Sequence, residues 1–108
     1  MEAGSLKYMP PEVLNGTIKS LNPAIDIWAL GCILFGMVCG QLPFNGSSNL
    51  DIVRKICAAD YKFPADLETD ISAEVKDLIR RILVIDPLKR YTLNNISAHP
   101  WITGEKLK

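Results

Sequence analysis

Few side chains in this 108-residue sequence could move a proton, hold a metal or attack an electrophile, so their spacing decides what chemistry is open to it. The one histidine, His99, precedes Pro100 and follows no acidic residue, so it reads as packing at a helix end rather than as an acid–base group. Ser5 has no neighbouring base to activate it as a nucleophile. Cys32, Cys39 and Cys57 are odd in number and lack Cys-x-x-Cys spacing. Cys32 and Cys39 fall about two turns apart on one helix face, too far to bridge, so the thiols read as reduced and buried. No His, Cys and carboxylate cluster has metal-ligand spacing. Asp26 differs from all of these, because it heads residues 27–40, a run with no charged side chain. A carboxylate carried into an apolar interior is a candidate functional group. The plainer alternative is a first-turn acid that complements the helix dipole.

The run behind Asp26 must be an element that positions it. At ~1.5 Å per residue a helix over 27–40 is about 21 Å long, short of the roughly 20 apolar residues needed to cross a bilayer. Asp26, Leu30, Ile33 and Met37 form one stripe at helical period, with Trp28, Cys32, Phe35 and Cys39 opposite. With no polar face, the helix is expected to be buried all round and to carry Asp26 inside with it. Asn22 can cap it, Pro23 can take its first turn, and Gly40 can end it.

Other elements follow from the same rules. A helical turn after Pro10-Pro11 runs to Leu14 and stops at Asn15-Gly16. Ser48-Asn-Leu-Asp51 has the form of a capping box, opening a helix whose buried side is expected from Leu50, Val53, Ile56 and Cys57. Tyr61 to Thr69 reads as irregular. Ser72 caps a helix with Val75, Leu78, Ile79, Ile82 and Leu83 on one face and an Asp77–Arg81 ion pair on the other. A last short helix runs from Thr92 to Ala98, and Trp101 and Ile102 are expected to plug its end. No strand-length alternation and no repeat is visible, so the fold class is all-α.

The length allows one domain, and 48% apolar residues suffice for an ordinary core. Twelve basic and twelve acidic residues cancel with no basic run, which argues against nucleic acid as a partner. No membrane span and no charged n-region with an apolar h-region is visible, so the chain reads as cytoplasmic. Asn15-Gly-Thr17, Asn45-Gly-Ser47 and Asn95-Ile-Ser97 then read as turns and a helix end rather than glycosylation sites.

Four segments, in order, carry a resemblance. Gly4-Ser5-Leu6-Lys7-Tyr8-Met9-Pro10-Pro11-Glu12 resembles the end of a protein-kinase activation segment, with Pro10 where Ala is usual. Asp26-Ile-Trp28-Ala-Leu-Gly31 resembles the start of the central helix of the kinase large lobe. Leu42-Pro43-Phe44 is similar to the loop after that helix. Asp86-Pro87-Leu-Lys-Arg90-Tyr-Thr92 with His99-Pro100-Trp101-Ile102 resembles the last two helices. Together they identify residues 1–108 as part of a serine/threonine protein kinase domain, most similar to the calmodulin-dependent and AMP-activated-like group. The implied fold is the helical part of the large lobe, from the end of the activation segment onward.

The resemblance implies roles. Ser5 matches a position that hydrogen-bonds the catalytic aspartate and lysine. Gly4, Ser5 and Tyr8 belong to the substrate loop, Tyr8 in the pocket for the residue after the phosphoacceptor. Asp26 matches an acceptor for catalytic-loop backbone N–H groups. Ile33 and Met37 match supports of the side-chain column beneath the adenine ring. Glu12 and Arg90 match a buried structural ion pair. Gly36 stands where some basophilic kinases carry an acid that reads substrate arginine, so no strong arginine preference through that contact is expected.

The sequence contains no Gly-rich loop, His-Arg-Asp or Asp-Phe-Gly, which phosphoryl transfer in this family requires. The chain alone is therefore expected to bind no cofactor and to be inactive, with ATP and magnesium used by an intact parent acting on protein substrates. The partner implied is the N-lobe and catalytic-loop half of the kinase domain. A non-catalytic interaction module and a pseudokinase fragment are the rival readings. Without that half, Leu30, Ile33 and Met37 lose their cover, which implies self-association.

Overall fold

The computed structural model describes residues 6–16, 22–64 and 71–104, so the readings on Gly4 and Ser5 fall outside the described residues. The helices bounded within the described residues are α1 Pro11–Leu14, α2 Pro23–Cys39, α3 Asn49–Cys57, α4 Ala73–Ile82, α5 Leu93–Ser97 and α6 Pro100–Thr103. Among the described residues there is no strand.

Local chemistry accounts for most of the ends. The Asn22 side chain accepts from the Ala24 N–H at 2.9 Å, and Pro23 occupies the first turn, where its missing N–H costs nothing. Gly40 closes α2 at φ +79°, a left-handed conformation that a residue with Cβ adopts at a cost. Ser48, Ser72 and Thr92 each accept a backbone N–H at the third residue of their helix. The Ser48 box is half formed, since Asp51 turns its carboxylate to the Ser47 N–H instead of the capping residue's own.

The core lies between α2 and α4. Trp28, Cys32, Phe35 and Cys39 line the inner side of α2 and meet Val75, Leu78, Ile79 and Ile82 of α4. Gly31 sits where the two helices cross, and a Cβ there would collide with Ile82 and press on Leu83 at 3.1 Å. Phe44, from the loop after α2, stacks on Trp28 with centroids 5.6 Å apart. α1 packs on α3, and α6 bridges α4 and α5.

Three expectations change. The α3 inner side is Ile52 and Ile56, while Leu50 is 70% exposed: the helix begins at Asn49, and its first turn points away from the core. Trp101 and Ile102 are exposed rather than plugging, because His99 fills that place. The third concerns α2, which is buried on one side only. Asp26 is exposed, not carried inside, and so are Leu30, Ile33 and Met37. The molecule is 18 Å across its thinnest dimension, too thin to sheathe a central helix of about 10–12 Å on both sides.

Candidate functional site

Two features built on α2 stand out, one dry and one exposed. The dry one surrounds Arg90, brought to the start of α2 by the turn Asp86–Arg90, whose Lys89 and Arg90 N–H groups bond back to the Asp86 carbonyl. Its guanidinium makes a bidentate pair with Glu12 of α1, Nη1 to Oε2 at 2.7 Å and Nη2 to Oε1 at 2.9 Å. Nη1 also donates to the Ala24 carbonyl at 2.9 Å, Nη2 to Val84 at 2.8 Å, and Nε to Val84 at 3.0 Å. The group lies 4.9 Å from the Trp28 ring centroid. Each of its five N–H donors thus has an acceptor, the condition under which a buried ion pair is tolerated. The arrangement ties α1, the head of α2 and the segment after α4 into one unit. The carboxylate and guanidinium saturate each other, so this is a structural clamp with no free group for acid–base work.

The exposed feature is the outer stripe of α2. Leu30 is 41% exposed, Ile33 47% and Met37 77%, with Asp26 at the stripe's head. Tyr8, half-buried, comes alongside, and it lines with Ile33, Gly36, Met37 and Leu42 a shallow depression of about 340 Å³. At the other end, Asp26 and Leu30 join Pro87, Leu88 and Leu93 around a larger apolar groove of about 650 Å³. The stripe therefore unites Asp26, Ile33, Met37 and Tyr8 on one face. Glu12 and Arg90 lie beneath it, at the root of α2.

Burial pushes the Cys32 thiol up to about 12, against the opposing pull of Arg90, so it is inert at neutral pH. Cys32, Cys39 and Cys57 are all free; the first two are buried as expected, while Cys57, at the end of α3, is only half-buried.

His99 has a partner that its sequence neighbours do not reveal. It is buried, and its Nε2 lies 2.7 Å from Asp77 Oδ2, 22 residues away on α4. The Trp101 N–H donates to its Nδ1 at 3.0 Å, so Nε2 carries the proton and donates to Asp77. Asp77 also accepts from Arg81 Nε at 2.8 Å. The His99 bond, aided by Arg81 and opposed by burial, holds the Asp77 carboxyl below the usual carboxylate value. No nucleophile joins the set: the Ser97 hydroxyl donates to the Leu93 carbonyl at 3.0 Å. The histidine therefore clasps α6 to α4.

A model of the protein kinase domain family matches residues 1–102. The chain belongs to that family. It is 38% identical over 102 residues to a calcium/calmodulin-dependent protein kinase type II of Schizosaccharomyces pombe, covering 94% of this chain and 20% of that protein. It is 44% identical over 101 residues to a human SNF-related serine/threonine-protein kinase, covering 94% and 12%. Among solved structures, the autoinhibited serine kinase domain of the giant muscle protein titin superposes with a TM-score of 0.86 at 30% identity, over 94% of this chain and 31% of that one. The twitchin kinase region of C. elegans gives a TM-score of 0.86 at 28% identity, over 99% and 19%. The chain thus spans a fifth or less of the length of these two curated relatives.

The family implies ATP and magnesium, and the described residues do not fit them. No three His, Cys, Asp or Glu side chains among them come together to hold a metal ion, and the outer stripe of α2 carries a single carboxylate, Asp26. No described helix is long and apolar enough to cross a membrane.

Proposed function

We propose that residues 1–108 form the substrate-side, helical part of the large lobe of a serine/threonine protein kinase, and that the outer stripe of α2 is the seat of the catalytic-loop half. The observation that carries this reading is a 17-residue helix whose one flank is fully packed while Leu30, Ile33 and Met37 stand open on the other. An apolar side chain left in water forgoes roughly 1.5–3 kcal/mol. A sequence that spends three such residues on one line has a partner for that line. In this reading the exposed Asp26 carboxylate accepts backbone N–H groups of the catalytic loop. Ile33 and Met37 support the column under the adenine ring, and Tyr8 faces the protein substrate, with Gly4 and Ser5 matched by sequence to the same substrate loop.

The intact parent, in the same reading, transfers phosphate from ATP with magnesium to serine or threonine of protein substrates, in the cytoplasm. The kinase relatives support the first part, and three free cysteines suit a reducing compartment. The 108-residue chain alone transfers none, since the groups that hold nucleotide, metal and substrate hydroxyl lie outside its sequence. A radiolabel assay with magnesium-ATP and a protein substrate checks this: background incorporation is expected, and magnesium-dependent turnover by the purified chain would overturn it.

A further inference from the structure

The side of α2 away from the outer stripe leads to a different surface. Phe35, buried on that side, stacks on Phe63 with centroids 5.4 Å apart and meets Tyr61 edge-on at 5.9 Å. The chain reaches these two residues through Ala59, which holds φ +50°, while the Asp60 N–H closes on the Lys55 carbonyl at 2.8 Å. Ala59, Tyr61, Lys62, Phe63 and Arg80 then line a depression of about 520 Å³. Tyr61 and Lys62 also border a smaller, more polar hollow that contains Asp60 and Lys55.

Two cations, Lys62 and Arg80, line the larger depression. The Arg80 guanidinium carbon lies 5.2 Å and the Lys76 ammonium 5.9 Å from the Phe63 ring centroid. Lys62 and Arg80 are exposed, and neither has a carboxylate partner among the described residues. Asp77, one turn before Arg80 on α4, is committed to His99 and Arg81. The described lining is therefore an aromatic floor, Tyr61 and Phe63, bordered by two exposed cations, Lys62 and Arg80. Burial raises the Tyr61 hydroxyl, and nearby Arg80 pulls it back down.

We propose that the hollow of Tyr61, Lys62, Phe63 and Arg80 is a docking site for an acidic peptide segment of a partner protein, one that sets an aromatic side chain beside two or more carboxylates. Charge complementarity selects the carboxylates, and the Phe63–Tyr61 floor selects the ring. The site's size disfavours a nucleic acid, which needs an extended basic stripe. The site is separate from the catalytic-loop seat and stands whether or not that seat is correctly assigned.

The test is fluorescence anisotropy of a labelled Glu-Asp-Phe-Glu-Asp peptide with the full chain, at about 0.1 M salt, where charges beyond ~10 Å are screened. Binding is expected, with a loss of about tenfold in Lys62→Gln/Arg80→Gln, a change equivalent to about 1.4 kcal/mol. The Gln-Asn-Phe-Gln-Asn peptide, which needs no protein variant, is expected to bind at least tenfold more weakly. Equal binding of the two peptides, or an undiminished affinity in a double variant of unchanged far-ultraviolet dichroism, would overturn the proposal. So would a single-stranded oligonucleotide of equal charge that binds as tightly as the acidic peptide.

Discussion

Replacing Glu12 with alanine removes both charge-assisted bonds from Arg90 and leaves its guanidinium where it was. The Arg90 side chain is 0% exposed and that of Glu12 3%, so water cannot take the carboxylate's place without opening the structure. The carbonyls of Ala24, Val84 and Ile85 remain as acceptors, but none carries a compensating charge. Removing one partner of such a pair costs about 3–5 kcal/mol. A domain of this size has roughly 5–15 kcal/mol in total, so Glu12→Ala should forfeit about a fifth of it at least and lower Tm by roughly 12 °C or more. Removing both charges, in Glu12→Ala/Arg90→Met, should cost less than Glu12→Ala alone, because no buried charge is left over. Urea unfolding followed by dichroism and by the fluorescence of Trp28, which lies against Arg90, reads the wild type, Glu12→Ala, Arg90→Met and the double variant. A Glu12→Ala cost below about 1 kcal/mol, or a double variant at the sum of the two singles, would refute the argument.

Other outcomes follow from the same contacts. Ala59 sits at φ +50°, where glycine is unstrained, so Ala59→Gly should raise stability by about 1 kcal/mol, and an unchanged or lower urea midpoint would contradict this. The Asp77 carboxyl is held below its ordinary value of 3.8, so its contribution is complete above that pH and is lost as pH falls through the lowered, folded-state value. Wild type should therefore exceed Asp77→Asn in urea midpoint at neutral pH, with a gap that narrows as pH falls below 3.8, and a constant gap would count against the clasp. Light scattering should report self-association of the chain through the α2 stripe, reduced by Met37→Glu; a compact wild-type monomer with sharp near-ultraviolet dichroism would exclude it.

How far the sequence announced these features depends on the range of the interactions. The ends of α2 and α4 were legible because Asn22, Gly40 and Ser72 act on N–H and C=O groups a few residues away. The apolar face of α4, Val75 to Leu83, was legible because period 3.6 records which side meets the core. The same periodicity misled on α2. Residues 27–40 show which side chains shun water, and nothing in them says whether the rest of the chain supplies cover on both sides. In α3 the choice between Leu50 and Ile52 turned on how a first turn meets its neighbours, a tertiary matter. The Glu12–Arg90 clamp spans 78 positions and was reached only through the kinase resemblance. His99–Asp77 spans 22 and was missed; the signal available was an acid on the polar face of α4 that could have faced either solvent or another element.

The central claim is that the outer stripe of α2 seats a catalytic-loop half supplied from outside these 108 residues. The direct measurement is complementation: the chain is mixed with a polypeptide that carries the family's nucleotide lobe and catalytic loop, and complex formation and magnesium-ATP-dependent phosphorylation of a protein substrate are followed. A stable complex is expected, with transfer that neither part performs alone, both lost in Asp26→Ala/Met37→Glu. A chain that forms no complex, or a complex indifferent to those two positions, would contradict it.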